Sequence, residues 1–111
     1  MILCSHLCLL TNGSLGRFPV AHIGEDGSVT KFELFPEGPE EIGGMIFKGG
    51  VMVCGLSDDF HGLSSSGRED FVNKLKGFGL TEGGGPVSVL VGGDLSTLTG
   101  TFVKWQPHLS D

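Results

Sequence analysis

Glycine is the residue that most constrains the fold of this chain, since 20 of its 111 residues are glycine and five more are proline. Glycine destabilises helix interiors, whereas it is favoured in tight turns and where two stretches of backbone come close together. The glycines follow no three-residue period, which excludes a collagen-like chain. The composition therefore predicts many turns and short strands.

The remaining composition is that of one folded domain spanning residues 1–111. Hydrophobic residues make up 39% of the chain and charged residues 18%, a balance that buries well and excludes wholesale disorder. Thirteen acidic residues against seven basic ones give a net charge of −6, with no cluster of Lys and Arg. Such a chain is a poor partner for phosphate backbones, so we expect no nucleic-acid partner.

The cysteines and the apolar N-terminus indicate the cellular compartment in which the protein is found. The three cysteines, Cys4, Cys8 and Cys54, cannot all be paired within one chain, which favours reduced thiols in a reducing compartment. Residues 1–10 are largely apolar, with an interruption at His6, but they lack the basic region and cleavage site of a signal peptide. No apolar run approaches the roughly 20 residues that span a bilayer. We therefore expect a soluble, cytoplasmic protein with no membrane partner.

Alternation of apolar and polar residues predicts the strands, and an Asp-Gly turn at residues 24–27 predicts a hairpin. The first three strands would form an antiparallel meander, and Gly49 and Gly50 would interrupt the fourth. The predicted strands cover residues 2–10, 17–23, 28–35, 45–56, 87–91 and 101–105, and the predicted loops cover residues 36–44, 57–65 and 81–86.

One helix is predicted over residues 66–78. Ser66-x-x-Glu69 fits a capping box, and Phe71, Leu75 and Phe78 recur at helical spacing. A glycine at position 77 or 79 would end the helix. The predicted fold class is a compact single α+β domain, with a mainly antiparallel (mixed) sheet and this one helix packed on a face.

The residues that could carry chemistry lie near the N-terminus. On a continuous strand Cys4, His6 and Cys8 would share a face, and hairpin pairing could bring His22 against the same strand. An imidazole beside a thiol promotes the thiolate, which is the nucleophile of Cys–His enzymes. The alternative is that these cysteines, like Cys54 in its apolar run, are core residues, since free cysteine is among the most buried residue types.

A metal or nucleotide cofactor is not expected. Cys4, His6, Cys8 and His22 include zinc-ligand types, but the C-x-H-x-C spacing lacks the knuckle of structural zinc sites. On an extended strand, the four-residue separation of Cys4 and Cys8 also places them about 13 Å apart, which is too far for both to bind one ion. The glycine-rich residues 83–86 and 92–94 lack the strand–loop–helix context of phosphate-binding fingerprints.

The stretch from Cys4 to His22 resembles the front of the chemoreceptor glutamine deamidases of the CheD type and, more distantly, the toxin deamidases of the cytotoxic necrotizing factor type. In those families a cysteine opens an apolar strand, a glycine-bearing turn follows, and a histidine lies on the next strand. The matching positions are Cys4, residues 7–10, residues 12–16 and His22. Residues 47–50 and 68–75 are also placed as in that family.

The resemblance implies a cysteine-dependent amidohydrolase that deamidates glutamine in a protein substrate. Cys4 would be the nucleophile and His22 the general base, with Cys8 as the alternative nucleophile because its separation from His22 is similar to that of the toxin type. A second hypothesis comes from another class of function. The low charge content and the prospect of unpaired sheet edges suggest a non-enzymatic binding or assembly module that could form a homo-oligomer such as a homodimer, with these residues in a structural role.

Overall fold

The structure is a computed structural model and describes residues 1–10, 14–38, 43–56, 60–76 and 87–105. These ranges hold ten strands and one helix: β1 (Ile2–Cys4), β2 (Leu7–Leu9), β3 (Leu15–Arg17), β4 (Pro19–Ile23), β5 (Val29–Leu34), β6 (Met45–Phe47), β7 (Val51–Cys54), β8 (Gly62–Ser66), α1 (Arg68–Lys76), β9 (Val87–Val91) and β10 (Thr99–Trp105).

The strands form two sheets, where the sequence predicted one. A four-stranded sheet has the order β5-β4-β1-β6, and a six-stranded sheet has the order β3-β2-β7-β9-β10-β8. Within the described ranges β1 pairs with β6 and β2 pairs with β7 in parallel, and the remaining pairings are antiparallel. Mixed sheets with one helix are as predicted, although strand predominates over helix more strongly than an α+β domain implies.

Three segments of the chain pass from one sheet into the other at a common bend. The breaks fall at Ser5 and His6 between β1 and β2, at Phe18 between β3 and β4, and at residues 48–50 between β6 and β7. We call these residues the corner. Backbone hydrogen bonds still cross it, since the Phe18 N–H donates to the His6 carbonyl at 2.8 Å and the Lys48 N–H to the Cys4 carbonyl at 2.8 Å.

The bend at the corner shows that two of the predicted strands are wrong. Residues 2–10 and 17–23 are not continuous strands, because Phe18 has a φ of 50° and because β1 and β2 belong to different sheets. A left-handed residue reverses the local course of an extended chain, and alternation along the sequence carries no signal for it. The interruption predicted at Gly49 and Gly50 is confirmed.

The helix and the two sheets stack as three layers. Val51 and Val53 of β7 point into a cluster with Phe71 and Leu75 of α1, on one face of the six-stranded sheet. Met52, on the opposite face of the same strand, packs into a second cluster between the two sheets. The six-stranded sheet is therefore the middle layer.

The helix begins later than predicted. Its first intrahelical bond runs from the Phe71 N–H to the Gly67 carbonyl at 2.9 Å, so Gly67 is the N-cap. The carboxylate that accepts from the Ser66 N–H, at 3.0 Å, is that of Asp70, and the predicted partner Glu69 does not take this place. The predicted helical positions from residue 77 onward, and the predicted loop at 81–86, lie outside the described residues.

The hairpin predicted at residues 24–27 is confirmed: the Gly27 N–H donates to the Gly24 carbonyl at 3.0 Å, and Gly27 has a φ of 86°. The loop predicted over residues 57–65 is partly wrong, because residues from Gly62 onward form β8, which pairs with β10. Its serine-rich sequence carries none of the β-branched or aromatic residues that mark a strand. No helix in the described ranges is long and apolar enough to cross a bilayer.

Candidate functional site

Cys4 and His22 lie on the same face of the four-stranded sheet, on neighbouring strands. The register of β1 and β4 places Cys4 opposite Val20 and Ile2 opposite His22. Residues that face each other across two strands share a side of the sheet, and so do residues two apart along a strand. Cys4 and His22 are therefore diagonal neighbours, a relation that typically separates the Cα atoms by about 7–8 Å.

This face is turned away from the six-stranded sheet. Leu3 and Ala21, which alternate with Cys4 and His22, pack into the cluster between the sheets. We call the opposite side the outer face. Read across β5, β4, β1 and β6, its two rows are Glu33, Val20, Cys4 and Phe47, and Lys31, His22, Ile2 and Met45.

The Cys4 thiol is buried and is not paired with the imidazole of His22. Cys4 has no exposed surface, and its Sγ donates to the carbonyl oxygen of Ser5 at 3.6 Å. Burial raises the pKa of the Cys4 thiol above its ordinary value. In this arrangement the thiol is protonated at neutral pH, which is the weakly nucleophilic form.

Cys8 lies on a different sheet from His22 and on a different face from Cys4. It sits on β2 opposite Gly16 and Met52, and it packs into the cluster between the sheets with 2% of its surface exposed. Burial raises the pKa of its thiol to about 11; a backbone hydrogen bond at Gly16 acts in the lowering direction, and the nearby Cys54 thiol adds a small raising effect.

The prediction that Cys4, His6 and Cys8 share a face is wrong. The break at Ser5 and His6 interrupts the alternation, so Cys4 points to the outer face and Cys8 into the space between the sheets. The described residues hold no group of three or more His, Cys, Asp or Glu side chains that could bind a metal ion.

His6 lies at the corner in a row of aromatic rings that the sequence reasoning did not identify. Its exposed imidazole stands edge-on to Phe47, with ring centroids 5.0 Å apart, and is 6.3 Å from the ring of Phe18. The Arg17 guanidinium lies 5.6 Å from the centroid of Phe18. These residues come from three separate segments, so only a prediction of the bend could have placed them together.

Both edge strands of the four-stranded sheet expose large apolar side chains. On β5 Phe32 and Leu34 are each 37% exposed, and on β6 Ile46 and Phe47 are 43% and 47% exposed. Sheet edges with exposed apolar residues are sites of association with other chains.

Comparison with known proteins gave no match to a family model, to a curated protein or to a solved structure. The function is therefore argued from the geometry of these residues.

Proposed function

We propose that this chain is a non-enzymatic binding or assembly module in which Cys4, Cys8 and His22 are structural residues. The observation that carries the proposal is the contrast between buried thiols and exposed apolar edges. Cys4 and Cys8 are 0% and 2% exposed, whereas Phe32, Leu34, Ile46 and Phe47 are all more than a third exposed.

The environment of the thiols supports a structural role. A cysteine nucleophile needs a nearby base or cation that favours the thiolate, and it needs access to substrate. Burial acts in the opposite direction on both Cys4 and Cys8, since it raises their pKa values. A thiol in such surroundings packs as a small hydrophobic side chain.

The exposed edges support association. Each Å² of apolar surface removed from water contributes about 25 cal/mol, so covering several large side chains offsets part of the entropic cost of binding. The four residues lie on the two opposite edges of one sheet, where the outward backbone groups have no partner strand within the described ranges and add hydrogen-bonding capacity.

A second candidate is the cysteine-dependent glutamine deamidase that the resemblance implies. The diagonal placement of Cys4 and His22 on one face favours it. In that reaction His22 takes the proton of the Cys4 thiol, and the sulfur attacks the carbonyl carbon of a glutamine side-chain amide. Ammonia leaves with a proton returned by the imidazolium, and water hydrolyses the thioester to give glutamate and the free thiol. This chemistry requires a movement that exposes Cys4.

Thiol reactivity separates the two candidates. The folded chain is treated with iodoacetamide at neutral pH, and modification at each cysteine is followed by mass spectrometry of the corresponding peptides. If the chain is a binding module, we expect Cys4 to react with iodoacetamide no faster than the chain unfolds. His22→Ala should then leave the rate of Cys4 modification unchanged when the two proteins are compared at equal free energy of unfolding. The deamidase predicts that Cys4 reacts faster than a free model thiol, that His22→Ala slows it, and that glutamine peptides release ammonia.

A further inference from the structure

We propose that two copies of this chain associate by pairing β5 with β5 of the second copy, antiparallel, about a two-fold axis at Phe32. The inference rests on the assembly function proposed above and names its partner, which is a second copy of the same chain. Four observations support it: the free edge, the direction of its backbone groups, its charge pattern and its apolar face.

Among the described strands, none pairs with the outer edge of β5, and this edge is long enough to pair. Strand β5 ends the order of the four-stranded sheet, and its residues 30–34 are all exposed. It runs for six residues, from Val29 to Leu34, which matches an ordinary paired strand. Edges of this length are usually blocked by proline, a bulge or inward-pointing charge. A bulge at Thr30 limits one end of β5, but residues 31–34 are regular.

The hydrogen bonds around β4 fix which backbone groups of β5 face outward. The Phe35 N–H donates to the Phe18 carbonyl at 3.1 Å, so the groups of Phe35 point toward the β3–β4 segment. Direction alternates along a strand, so Glu33 and Lys31 also point inward and the groups of Phe32 and Leu34 point outward. Pro19, which lacks an N–H, lies opposite Leu34, as this assignment requires.

A two-fold axis at Phe32 makes the charges of β5 complementary. In this register Phe32 faces Phe32 of the second copy and exchanges both backbone hydrogen bonds with it, while Lys31 faces Glu33 of the second copy on either side. Such flanking pairs are the ones whose side chains come closest. Within one chain the Lys31 ammonium already lies 3.3 Å from the Glu33 carboxylate, so both side chains lie on the outer face and can reach each other.

The neighbouring registers are disfavoured. The two copies can form backbone hydrogen bonds only where residues whose backbone groups point outward lie opposite each other. Since this direction alternates along the strand, one copy can shift along the other only by an even number of residues. A shift that centres the axis on Lys31 places two lysines opposite each other, and a shift that centres it on Glu33 places two glutamates opposite each other. Like charges directly opposite are destabilising. The charge pattern therefore selects the register centred on Phe32.

The same register covers the exposed apolar residues of β5. Phe32 lies opposite Ala21, on the face directed toward the six-stranded sheet, and Leu34 lies on that face as well. Pairing about Phe32 places the two Phe32 rings side by side and lengthens the four-stranded sheet into one continuous sheet across both copies. Aromatic cross-strand pairs of this kind contribute to the stability of antiparallel sheets.

Charge reversal tests the register. Sedimentation equilibrium of the full chain from about 1 µM to about 1 mM measures the dimer dissociation constant. We expect Lys31→Glu and Glu33→Lys each to weaken the dimer at least about tenfold, because each places like charges opposite one another. The double variant Lys31→Glu/Glu33→Lys recreates opposite pairs and should restore the dimer. Lys74→Glu, which breaks the exposed Lys74–Asp70 ion pair of α1, is the matched control and should leave the dimer unchanged.

The outcomes also separate this inference from the proposed function. A chain that stays monomeric over the whole range, or a dimer that neither single reversal weakens, overturns the β5 pairing; if the thiols are inert, the module proposal stands with a different partner. Reactive Cys4 with ammonia release overturns the module proposal whatever the dimer constant is. Circular dichroism of each variant shows that a lost dimer does not reflect a lost fold.

Discussion

Phe18 holds a backbone conformation that is costly for its residue type, and this cost can be measured. Its φ of 50° lies in the left-handed region, which costs a residue with a Cβ about 1 kcal/mol relative to glycine. Phe18→Ala removes the ring and keeps the strain, whereas Phe18→Gly removes both. We expect the glycine variant to be more stable than the alanine variant by about 1 kcal/mol in urea unfolding.

Phe47 supplies the matched control for this prediction. It lies beside the same imidazole of His6, but in the regular strand β6. There glycine has no conformational advantage, so Phe47→Ala should be more stable than Phe47→Gly. The same order of glycine and alanine at both positions would contradict the assignment of strain to Phe18.

The buried thiol of Cys8 makes stability depend on pH in the alkaline range. The folded pKa of about 11 lies above the ordinary value of 9.0, so above pH 9 the unfolded chain binds fewer protons than the folded one. The contribution of this thiol is therefore full below about pH 9 and is lost as the pH rises toward about 11. A rise of about two units in the pKa, at 1.36 kcal/mol per unit, corresponds to a loss of about 3 kcal/mol once the pH has passed the folded pKa.

The measurement is urea unfolding across this pH range. Cys8→Ala should lower stability below pH 9 through the lost packing, but its stability should fall less steeply above pH 9 than that of the unmodified chain. Comparing the slopes removes the packing effect. Equal slopes would show that Cys8 does not titrate with a raised pKa.

At the scale of single residues, the sequence indicated that His22 lies against the strand of Cys4 and offered core packing as an alternative role for the cysteines, but it did not predict that Cys4 and Cys8 lie on different faces. Pairing of β1 with β4 follows from alternation and from the antiparallel meander predicted for the first three strands, so the common face of Cys4 and His22 was predictable. The separation of Cys8 from Cys4 was not predictable, because it depends on the break at Ser5 and His6, which neither glycine nor proline marks. Burial depends on neighbours distant in sequence, and one-dimensional patterns do not reveal it.

At the scale of elements, the N-terminus of α1 is capped by a weak residue. Gly67 occupies the N-cap, is not one of the glycines with a left-handed φ, and has open space where a Cβ would stand. Asparagine is preferred at this position over glycine by a few tenths of a kcal/mol, and alanine is worse than either. We expect Gly67→Asn to raise the midpoint of urea unfolding and Gly67→Ala to lower it. A rise with alanine would place the helix start elsewhere.

The elements show where sequence patterns succeed. The β4–β5 hairpin and the strands β9 and β10 were predicted because alternation and nearby turns specify each within a few residues. Strand β8 was missed because its serines alternate between buried and exposed without a difference in hydrophobicity. The division into two sheets was missed because a bent strand and a straight one have the same period.

At the scale of the whole molecule, the fold depends on the corner. Glycine at position 50 permits the bend between β6 and β7. Gly50 has a φ of 147° and lies where β7 enters the six-stranded sheet. A Cβ at this position would press against the carbonyl oxygen of Leu90 and lie 2.8 Å from Cγ1 of Val89. Both atoms belong to β9, so relief would require β7 and β9 to separate.

Gly50→Ala should therefore destabilise the cluster under α1 and the cluster between the sheets together. Strand β7 contributes Val51 and Val53 to the cluster under α1 and Met52 to the cluster between the sheets. We expect a loss of more than about 2 kcal/mol in urea unfolding, in a single transition. The neighbouring Gly49→Ala is the control: its Cβ would meet only the exposed His6 ring, at 3.1 Å, which can turn away, so the loss should stay below about 1 kcal/mol. Equal losses at the two positions would show that strain along the corner, rather than contact with β9, sets the requirement for glycine.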